Sequence, residues 1–349
     1  MTATDGHIRI SAAGPLTTVQ DFGRLHLRRL GIPSAGTLCP DWLQLGNALL
    51  GNPADAAALE FRLMGPSFTV EVDDMQAVVA GPAELRIDGA DGARRIKPWT
   101  VVKLSRGDDV TVGSVSRGTV ALLCVSGGVA TPPVLGSRAT YSRAGLGGLQ
   151  GRSLQIGDLV PIGSAIPKDT LSLPDVDDPT DQPIRVILGP QADHFSNEQI
   201  GIFLSESFFV TTNVDRMGMR LEGPKLKHRT AALSEIVSDG IVPGAVQVPG
   251  TGNPIVLLAD GQTVGGYPKI ATVISADLPR LGRLAPGTLV SFSAVTVREA
   301  EDALERHQTW LRTMIASAGS AIEIGDVDLR LLYETNLVSG AVNGTEETE

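Results

Sequence analysis

The sequence predicts a mainly β protein, and three observations support this class. Short runs rich in Val, Ile and Leu follow one another along the chain, each bounded by Gly, Asp or Pro. The 40 glycines and 22 prolines show no period, which fits many turns rather than a fibrous protein. One acidic, proline-rich stretch separates two series of such runs. Short strands of this spacing are typical of sandwiches and barrels.

Composition narrows the range of functions. The 349 residues suffice for one large or two ordinary domains, and the net charge of −10 argues against nucleic acid as the main partner. Cys39 and Cys124 are too few and too far apart for a disulfide framework, and we expect Cys124 to be a buried strand residue. No signal sequence and no run near the roughly 18 apolar residues of a membrane span is present. We therefore expect a soluble, cytoplasmic protein without a membrane partner.

The first half contains one predicted helix among many strands. The helix lies in CPDWLQLGNALLGNP, because Trp42, Leu45 and Leu49 share one face, Pro40 lies near its start and Gly51 at its end. The predicted strands are HIRIS (7–11), SFTVEV (67–72), QAVVAG (76–81), AELRIDG (83–89), TVVKL (100–104), DVTVG (109–113) and VALLCVS (120–126).

The second half repeats this organisation. Its short helix, NEQIGIFLSE, again comes early. Its strands are IRVILG (184–189), FFVTT (208–212), MRLEG (219–223), AVQVPG (245–250), PIVLLAD (254–260), ATVIS (271–275) and TLVSFS (288–293). Similar segments, LQIGDLVPIG and LAPGTLVSFS, close the two halves. We therefore predict two similar β domains, 1–165 and 184–296, joined by an acidic linker at 166–183.

Residues 297–349 are predicted to form an amphipathic helix and a tail whose last residues are disordered. Six residues fall on one stripe of that helix: Val297, Ala300, Leu304, His307, Leu311 and Met314. His307 on this stripe is expected to pack rather than to bind a ligand.

Several common chemistries find no support. The chain has no G-x-S-x-G, and its five histidines show no metal-ligand spacing, so neither a serine hydrolase nor a metal site is expected. AGLGGLQGR (144–152) does not fit the dinucleotide fingerprint, and no P-loop occurs. Ser137, Arg138 and Arg143 precede or enter this glycine-rich loop. The loop is either an anion site or a place where the backbone must approach another group closely.

The stretch LLADGQTVGGYPKIATVISADLP (257–279) places many polar residues between two apolar runs. It is either a tight hairpin with a solvated face or the floor of a site. Lys269 lies two residues after Tyr267, so the two side chains would point the same way in a strand. A phenol beside an ammonium can polarise an amide or ureido carbonyl.

Seven blocks of sequence carry a resemblance to a known family. They are TTVQDFGR, GIPSAG, ALLGNPADAAALE, GSRATYSRAGLGGLQGR, DRMGMRLEGP, GAVQVPGTGNPIVLLADGQTVGGYPKIATVISADL and LAPGTLVSF, in this order. Together they resemble the biotin-dependent carboxyltransferase family, whose members include allophanate hydrolase subunit 2 and the C subunit of 5-oxoprolinase. The resemblance covers about residues 8–297 and implies two cyclophilin-like β-barrel domains. The sequence departs from the family's pattern at Leu38, Cys39, Gly261 and Arg283.

The resemblance implies three possible functions. The leading one is the C subunit of an ATP-dependent 5-oxoprolinase, which acts with the A and B subunits to open 5-oxoproline to glutamate by activating the lactam amide. The second is a carboxyltransferase or allophanate hydrolase subunit acting on urea-derived substrates, as in urea carboxylase. The third is a non-enzymatic regulator that sequesters a kinase inhibitor.

The resemblance also implies partners and cofactors. The expected partners are the B subunit, a homologue of allophanate hydrolase subunit 1, and the A subunit. The chain alone is expected to bind no cofactor and to be inactive. ATP would be used by the complex, and biotin would come from another chain because no Met-Lys-Met acceptor is present.

The resemblance finally locates a ligand pocket at DGQTVGGYPK in the second domain, and residue chemistry suggests the roles. Lys269 and Tyr267 would face the substrate carbonyl, and Asp260 would orient Lys269 or accept an amide proton. Gln247 would recognise an amide group of the substrate through its own hydrogen-bond donor and acceptor, and Arg216 would neutralise a carboxylate or phosphate. The remaining predicted substrate-binding residues are Thr263, Gly265, Gly266, Ser137, Arg138 and Arg143.

Overall fold

A computed structural model describes residues 4–90, 92–164, 169–174, 176 and 182–320. The strands before residue 165 are β1 (Thr4–Ala12), β2 (Thr18–Gln20), β3 (Ala58–Arg62), β4 (Ser67–Val70), β5 (Met75–Ala80), β6 (Leu85–Gly89), β7 (Gly92–Ile96), β8 (Val102–Leu104), β9 (Asp109–Val112), β10 (Val120–Val125) and β11 (Leu159–Gly163). The helix α1 (Pro40–Leu50) lies between β2 and β3. It begins with Pro40 in the first turn and ends at the left-handed Gly51, as predicted.

The remaining strands follow the acidic segment or lie within it. They are β12 (Leu171–Ser172), β13 (Ile184–Leu188), β14 (Ser207–Val214), β15 (Gly218–Glu222), β16 (Asp239–Gly240), β17 (Ala245–Gln247), β18 (Ile255–Leu257), β19 (Val264–Gly265), β20 (Lys269–Val273), β21 (Leu289–Ala294) and β22 (Gly319–Ser320). The helices are α2 (Asn197–Ser205), α3 (Leu278–Arg283) and α4 (Val297–Ala316).

The first half consists of two sheets. One has the order β11-β1-β4-β9-β6-β7 and the other the order β2-β3-β10-β5-β8. Strand β10 is fully buried: Leu123 and its alternate neighbours face the core between the sheets, whereas Leu122 and Cys124 face α1 and the second half. The five-stranded sheet is therefore covered on both faces, and this burial explains its continuous apolar runs. Cys124 is buried in a strand, as predicted.

The second half forms a closed barrel with the order β13-β20-β17-β18-β15-β14-β21. The ring is closed by a parallel pair in which Ile184 lies opposite Phe292, and the other pairs are antiparallel. Phe292 stacks on Phe203 of α2 with 4.6 Å between the ring centroids. The mainly β class with few helices is confirmed, and the domain boundaries stay a prediction.

Two strands that the sequence did not reveal are β3 and β7. The first carries the buried charges Glu60 and Arg62, which break the apolar run. The second, GARRI, is an exposed edge strand that pairs with β6 alone among the described residues, so it needs no apolar face. The strand signal fails in both because it depends on apolar side chains.

The acidic segment contributes a strand and buried side chains to the packed structure. Within it β12 pairs with β22, and Leu173 and Val176 are buried in the core that joins the two halves. Among the residues from 4 to 320 that the structure describes, no helix is long and apolar enough to cross a membrane. The tail predicted to be disordered lies outside the described residues.

The predicted stripe of α4 is largely correct. Leu311 is buried, and Ala300, Leu304, His307 and Met314 are partly buried. Val297 is exposed and is the first helical residue after the N-cap Thr296, within the capping box that Thr296 forms with Glu299. Ala303 and Trp310 also belong to the buried face. His307 stacks on Trp310 with 5.5 Å between the ring centroids, which agrees with a packed residue.

Candidate functional site

A cavity of about 800 Å³ lies on the outer face of the barrel. It is lined by Arg143, Thr212, Asn213, Val214, Asp215, Met217, Gly218, Arg220, Gln247, Ile255, Leu257, Gln262 and Tyr267. Arg143 belongs to the glycine-rich loop of the first half, and the other residues belong to the second half. The cavity therefore lies between the two halves, where a ligand can contact both.

Strand alternation decides which side chains reach this cavity. Met219, Val246 and Val256 of three neighbouring strands point into the barrel core. Their neighbours Arg220 and Gln247 point outward. Side chains that alternate in sequence thus separate into a core face and a site face.

Gln247 is the most buried polar residue of the cavity wall. It is 1 % exposed, and its Nε2 has no hydrogen-bond partner among the protein residues that the structure describes. A Cβ atom at Gly265 would lie 2.9 Å from this Nε2, so the glycine leaves the space that the amide occupies. A buried amide donor without a protein partner is costly, so packing alone does not explain this residue. The missing side chain of Gly265 thus makes room for Gln247, and its predicted contact with a ligand stays a prediction.

Tyr267 and Lys269 do not face one ligand, which corrects the expectation. Tyr267 is 40 % exposed and lines the cavity, whereas Lys269 is 4 % exposed and is absent from its wall. The Nζ of Lys269 donates to Asp239 at 2.9 Å. Strand β20 begins at Lys269, so Tyr267 lies outside the strand. The register of the neighbouring strand also shifts here, between Val246 and Gln247. Alternation along a strand therefore does not predict where Tyr267 points.

The Lys269–Asp239 pair anchors a short ribbon beside the cavity. In this ribbon β16 pairs with β19, with Asp239 opposite Gly265. Lys269 donates a hydrogen bond to Asp239, and this bond holds the pKa of the carboxyl below its ordinary value. Thr263 and Gly266 lie at the two ends of β19, where their backbone oxygens accept from Ile241 and Ile236. They support the ribbon and are not part of the cavity wall.

The predicted contact between Asp260 and Lys269 is wrong. Asp260 accepts two hydrogen bonds from Arg216, at 2.9 and 3.1 Å. Arg216 also pairs with Glu60 of the first half, and it donates to the carbonyl of Gly36. Glu60 further accepts from the Thr37 hydroxyl at 2.8 Å and from the Leu38 amide at 2.7 Å. We call these three charged residues, Glu60, Arg216 and Asp260, the interface triad.

In the interface triad, burial and neighbouring charges shift the pKa values of Asp260 and Arg216 in opposite directions. Burial raises the pKa of Asp260, and the neighbouring Arg216 offsets part of this effect. Burial lowers the pKa of Arg216, but Glu60 and Asp260 outweigh it and hold the pKa above its ordinary value. With two carboxylates already bound, Arg216 has little capacity left for a substrate anion, so its predicted role is replaced by a structural one.

The predicted anion loop of the first half divides into two parts. Asp21 accepts from the Ser137 hydroxyl and from the Arg138 amide, both at 2.6 Å, so these residues shape the loop. Gly147 has a φ of 66°, and a Cβ atom there would collide with the buried guanidinium of Arg24. This close approach explains why residue 147 is a glycine. The second part of the loop is Arg143, whose side chain lines the cavity.

Sequence reasoning missed several residues of this region: Arg24, Glu60, Arg220, Asp239 and Gln262. Glu60 shares the face of β3 with Ala58, which the register of a buried strand places toward the second half. A carboxylate inside an apolar strand was the available signal. The described residues contain no group of three His, Cys, Asp or Glu side chains that could hold a metal ion.

Comparisons with known proteins agree with this architecture. The family model "Carboxyltransferase domain, subdomain A and B" matches residues 30–294. The chain is 36 % identical to the C subunit of 5-oxoprolinase from Escherichia coli, covering 88 % of this chain and 97 % of that protein. It is 33 % identical to the corresponding 5-oxoprolinase subunit of Haemophilus influenzae, covering 84 % and 93 %.

A solved structure shares the fold. The crystal structure of the K. lactis urea amidolyase superimposes with a TM-score of 0.81 at 27 % identity. The match covers 93 % of this chain and 21 % of that one. The chain therefore belongs to the carboxyltransferase domain family, as the resemblance of its sequence blocks implied.

Proposed function

We propose that this chain is the C subunit of a 5-oxoprolinase that works in the cytoplasm with the A and B subunits. The observation that carries the proposal is its identity of 36 % along 97 % of the corresponding E. coli subunit. The name of that relative implies further subunits. Since no P-loop is present in the sequence, the ATP of the reaction is assigned to the assembled complex and not to this chain.

The cavity offers groups that suit 5-oxoproline, which carries a lactam amide and a carboxylate. The Gln247 amide has an unpartnered donor for the lactam oxygen. Arg143 of the first half and Arg220 of the second half line the same cavity and supply positive charge for the carboxylate. The Tyr267 hydroxyl can donate to a carbonyl oxygen on which negative charge develops. In this proposal Lys269 acts indirectly, because its ammonium holds the ribbon that carries Gly265.

A second function, carboxyl transfer to a urea-derived substrate, is supported by the TM-score of 0.81 to the K. lactis urea amidolyase. The same buried amide donor of Gln247 and the cavity of about 800 Å³ would fit a ureido group, including that of biotin. Biotin would supply the transferable carboxyl group. Gln247 would orient the ureido oxygen, and the biotin would be attached to another chain.

Reconstitution separates these functions. The tagged chain is purified from its own cells with the proteins that bind it, and the assembly is assayed for ATP-dependent glutamate release from 5-oxoproline. Urea with bicarbonate and ATP is the parallel substrate, and the chain alone is the control. Glutamate release only by the assembly supports the proposal, whereas carboxylation of urea supports the second function. Partner binding without either turnover would reject both and favour a non-enzymatic regulator.

A further inference from the structure

A second cavity, of about 530 Å³, shares no lining residue with the first one. It is surrounded by α1, α3, α4 and β13, and five arginines contribute to its wall: Arg117, Arg185, Arg280, Arg283 and Arg306. Two carboxylates, Asp41 and Asp277, also line it. This arginine pocket therefore carries a formal excess of three positive charges in a chain whose net charge is −10.

Three of the arginines form the floor of the arginine pocket and have protein partners. Arg185 donates to Asp277 at 2.6 and 3.1 Å. Arg280 donates to the carbonyl of Gln182 at 2.5 Å. Arg283 pairs with Asp41, and its guanidinium carbon lies 3.9 Å from the ring centroid of Trp42. These contacts fix the positions of the three guanidinium groups that form the floor of the pocket.

The other two arginines form the rim. Arg117, in the loop after β9, and Arg306, on α4, are both exposed. Neither makes a hydrogen bond or ion pair with any residue that the structure describes. The stacked rings of His307 and Trp310 also line the pocket, and we call them its flat wall.

We propose that the arginine pocket binds a multiply charged phosphate anhydride, such as a diphosphate group. Asp41 and Asp277 offset two of the five charges, and the remaining like charges repel one another unless a further anion lies between them. The five arginines come from four separate parts of the fold, so local sequence alone does not explain their convergence. The guanidinium group of arginine donates two parallel hydrogen bonds to phosphate oxygens. Five such groups distributed over the floor and the rim can bind an anion with several phosphate oxygens better than a single carboxylate. This inference is independent of the proposed function.

Isothermal titration of the full chain at low ionic strength tests the inference, with inorganic pyrophosphate and ADP as probes, since both carry one diphosphate group. The wild type should bind both, and an Arg117→Ala/Arg306→Ala double variant should bind at least about tenfold more weakly, a loss of roughly 1.4 kcal/mol. Arg298→Ala is the matched control, because Arg298 is an exposed arginine on α4 outside the pocket. The control should bind as the wild type does.

The two probes also distinguish the source of the diphosphate. Tighter binding of ADP than of pyrophosphate assigns the rings of His307 and Trp310 to a nucleoside, and equal binding assigns the pocket to the phosphates alone; both outcomes support the proposal. Absence of binding, equal weakening by Arg298→Ala, or equal affinity for succinate would overturn it. Trp310 fluorescence, compared with a Trp310→Phe variant, reports whether the bound probe lies at the flat wall.

Discussion

Gln247 combines two properties that rarely occur together: its amide is buried, and its donor has no partner. Folding removes this amide from water without replacing the lost hydrogen bond. A donor held in this state can bind a ligand acceptor in place of the missing protein partner. At the residue scale, Gln247 is therefore the position where stability and function are expected to oppose each other.

We predict that Gln247→Met lowers turnover of the assembled complex by about 10²-fold, because it removes one fixed donor to the substrate oxygen. The melting temperature should stay the same or rise, since the thioether fills the volume without leaving a buried amide unpaired. Steady-state kinetics and thermal unfolding measure the two effects. Gln308→Met, at an exposed position of α4, is the control. Normal turnover by Gln247→Met would remove this residue from the site.

Residue chemistry predicted part of this site from sequence. Gln247, Tyr267 and Arg143 do line one cavity, but only Gln247 lies in a barrel strand where alternation predicts an outward side chain. The partners of charged residues could not be predicted. Asp260 and Asp239 stand 21 residues apart, and only the tertiary fold shows that Asp239 binds Lys269 and Asp260 binds Arg216.

At the scale of elements, the ribbon of β16 and β19 depends on few contacts. Its two strands comprise two residues each, and the Lys269–Asp239 pair joins it to the barrel. Short ribbons are marginal without such support. The ribbon carries Gly265, so its position determines how closely the backbone covers Gln247.

We predict that Asp239→Asn speeds amide hydrogen exchange in the ribbon by a few-fold, because the pair that it breaks is half-exposed and modest in strength. The amides of Gly240 and Val264 should respond, whereas those of β10 should not. Glu235→Gln, an exposed change in the same segment, is the control. Unchanged exchange in Asp239→Asn would show that the ion pair does not hold the ribbon.

The same ion pair should respond to acid. The pKa of Asp239 lies below its ordinary value of 3.8 through the Lys269 hydrogen bond. A carboxyl with a lowered folded pKa contributes stability that is present above 3.8 and lost as the pH falls through the folded value. Protection of the ribbon in the wild type should therefore decline below pH 3.8, and Asp239→Asn should show no such decline.

Among elements, capped helices and aliphatic strands were predicted well, since their signals are local. Pro40 and Gly51 mark both ends of α1, and Val120 begins a strand that is buried throughout. The ribbon was not recognised because strands of two residues have no period. The closure of the barrel was implied by family resemblance and not by the pattern, since pairing between strands so far apart in sequence leaves no local trace.

For the whole molecule, the interface triad joins the two halves. Glu60 comes from a buried strand of the first half, and Arg216 and Asp260 come from the second. Removal of the cation would leave two carboxylates buried near each other. Such an uncompensated charge is more damaging than loss of the ion pair itself.

We predict that Arg216→Ala lowers the free energy of unfolding by about 3–5 kcal/mol at pH 8. The deficit should shrink at pH 5, because burial raises the pKa of Asp260 and Arg216 no longer offsets this effect. Denaturant unfolding at both pH values measures this difference. Arg220→Ala, on the exposed face of β15, is the control and should change little. An equal deficit at both pH values would argue against protonation of the triad.

Both halves join their first strand to their last one: His7 pairs with Pro161, and Ile184 pairs with Phe292. A ribosome must therefore complete almost the whole of each half before its sheet can be finished. Until then the nascent chain exposes strand edges and apolar faces, which attract other unfinished chains. We expect aggregation to increase when the residues between β1 and β11, or between β13 and β21, are translated slowly. Chaperones should be needed most while β21 is still within the exit tunnel.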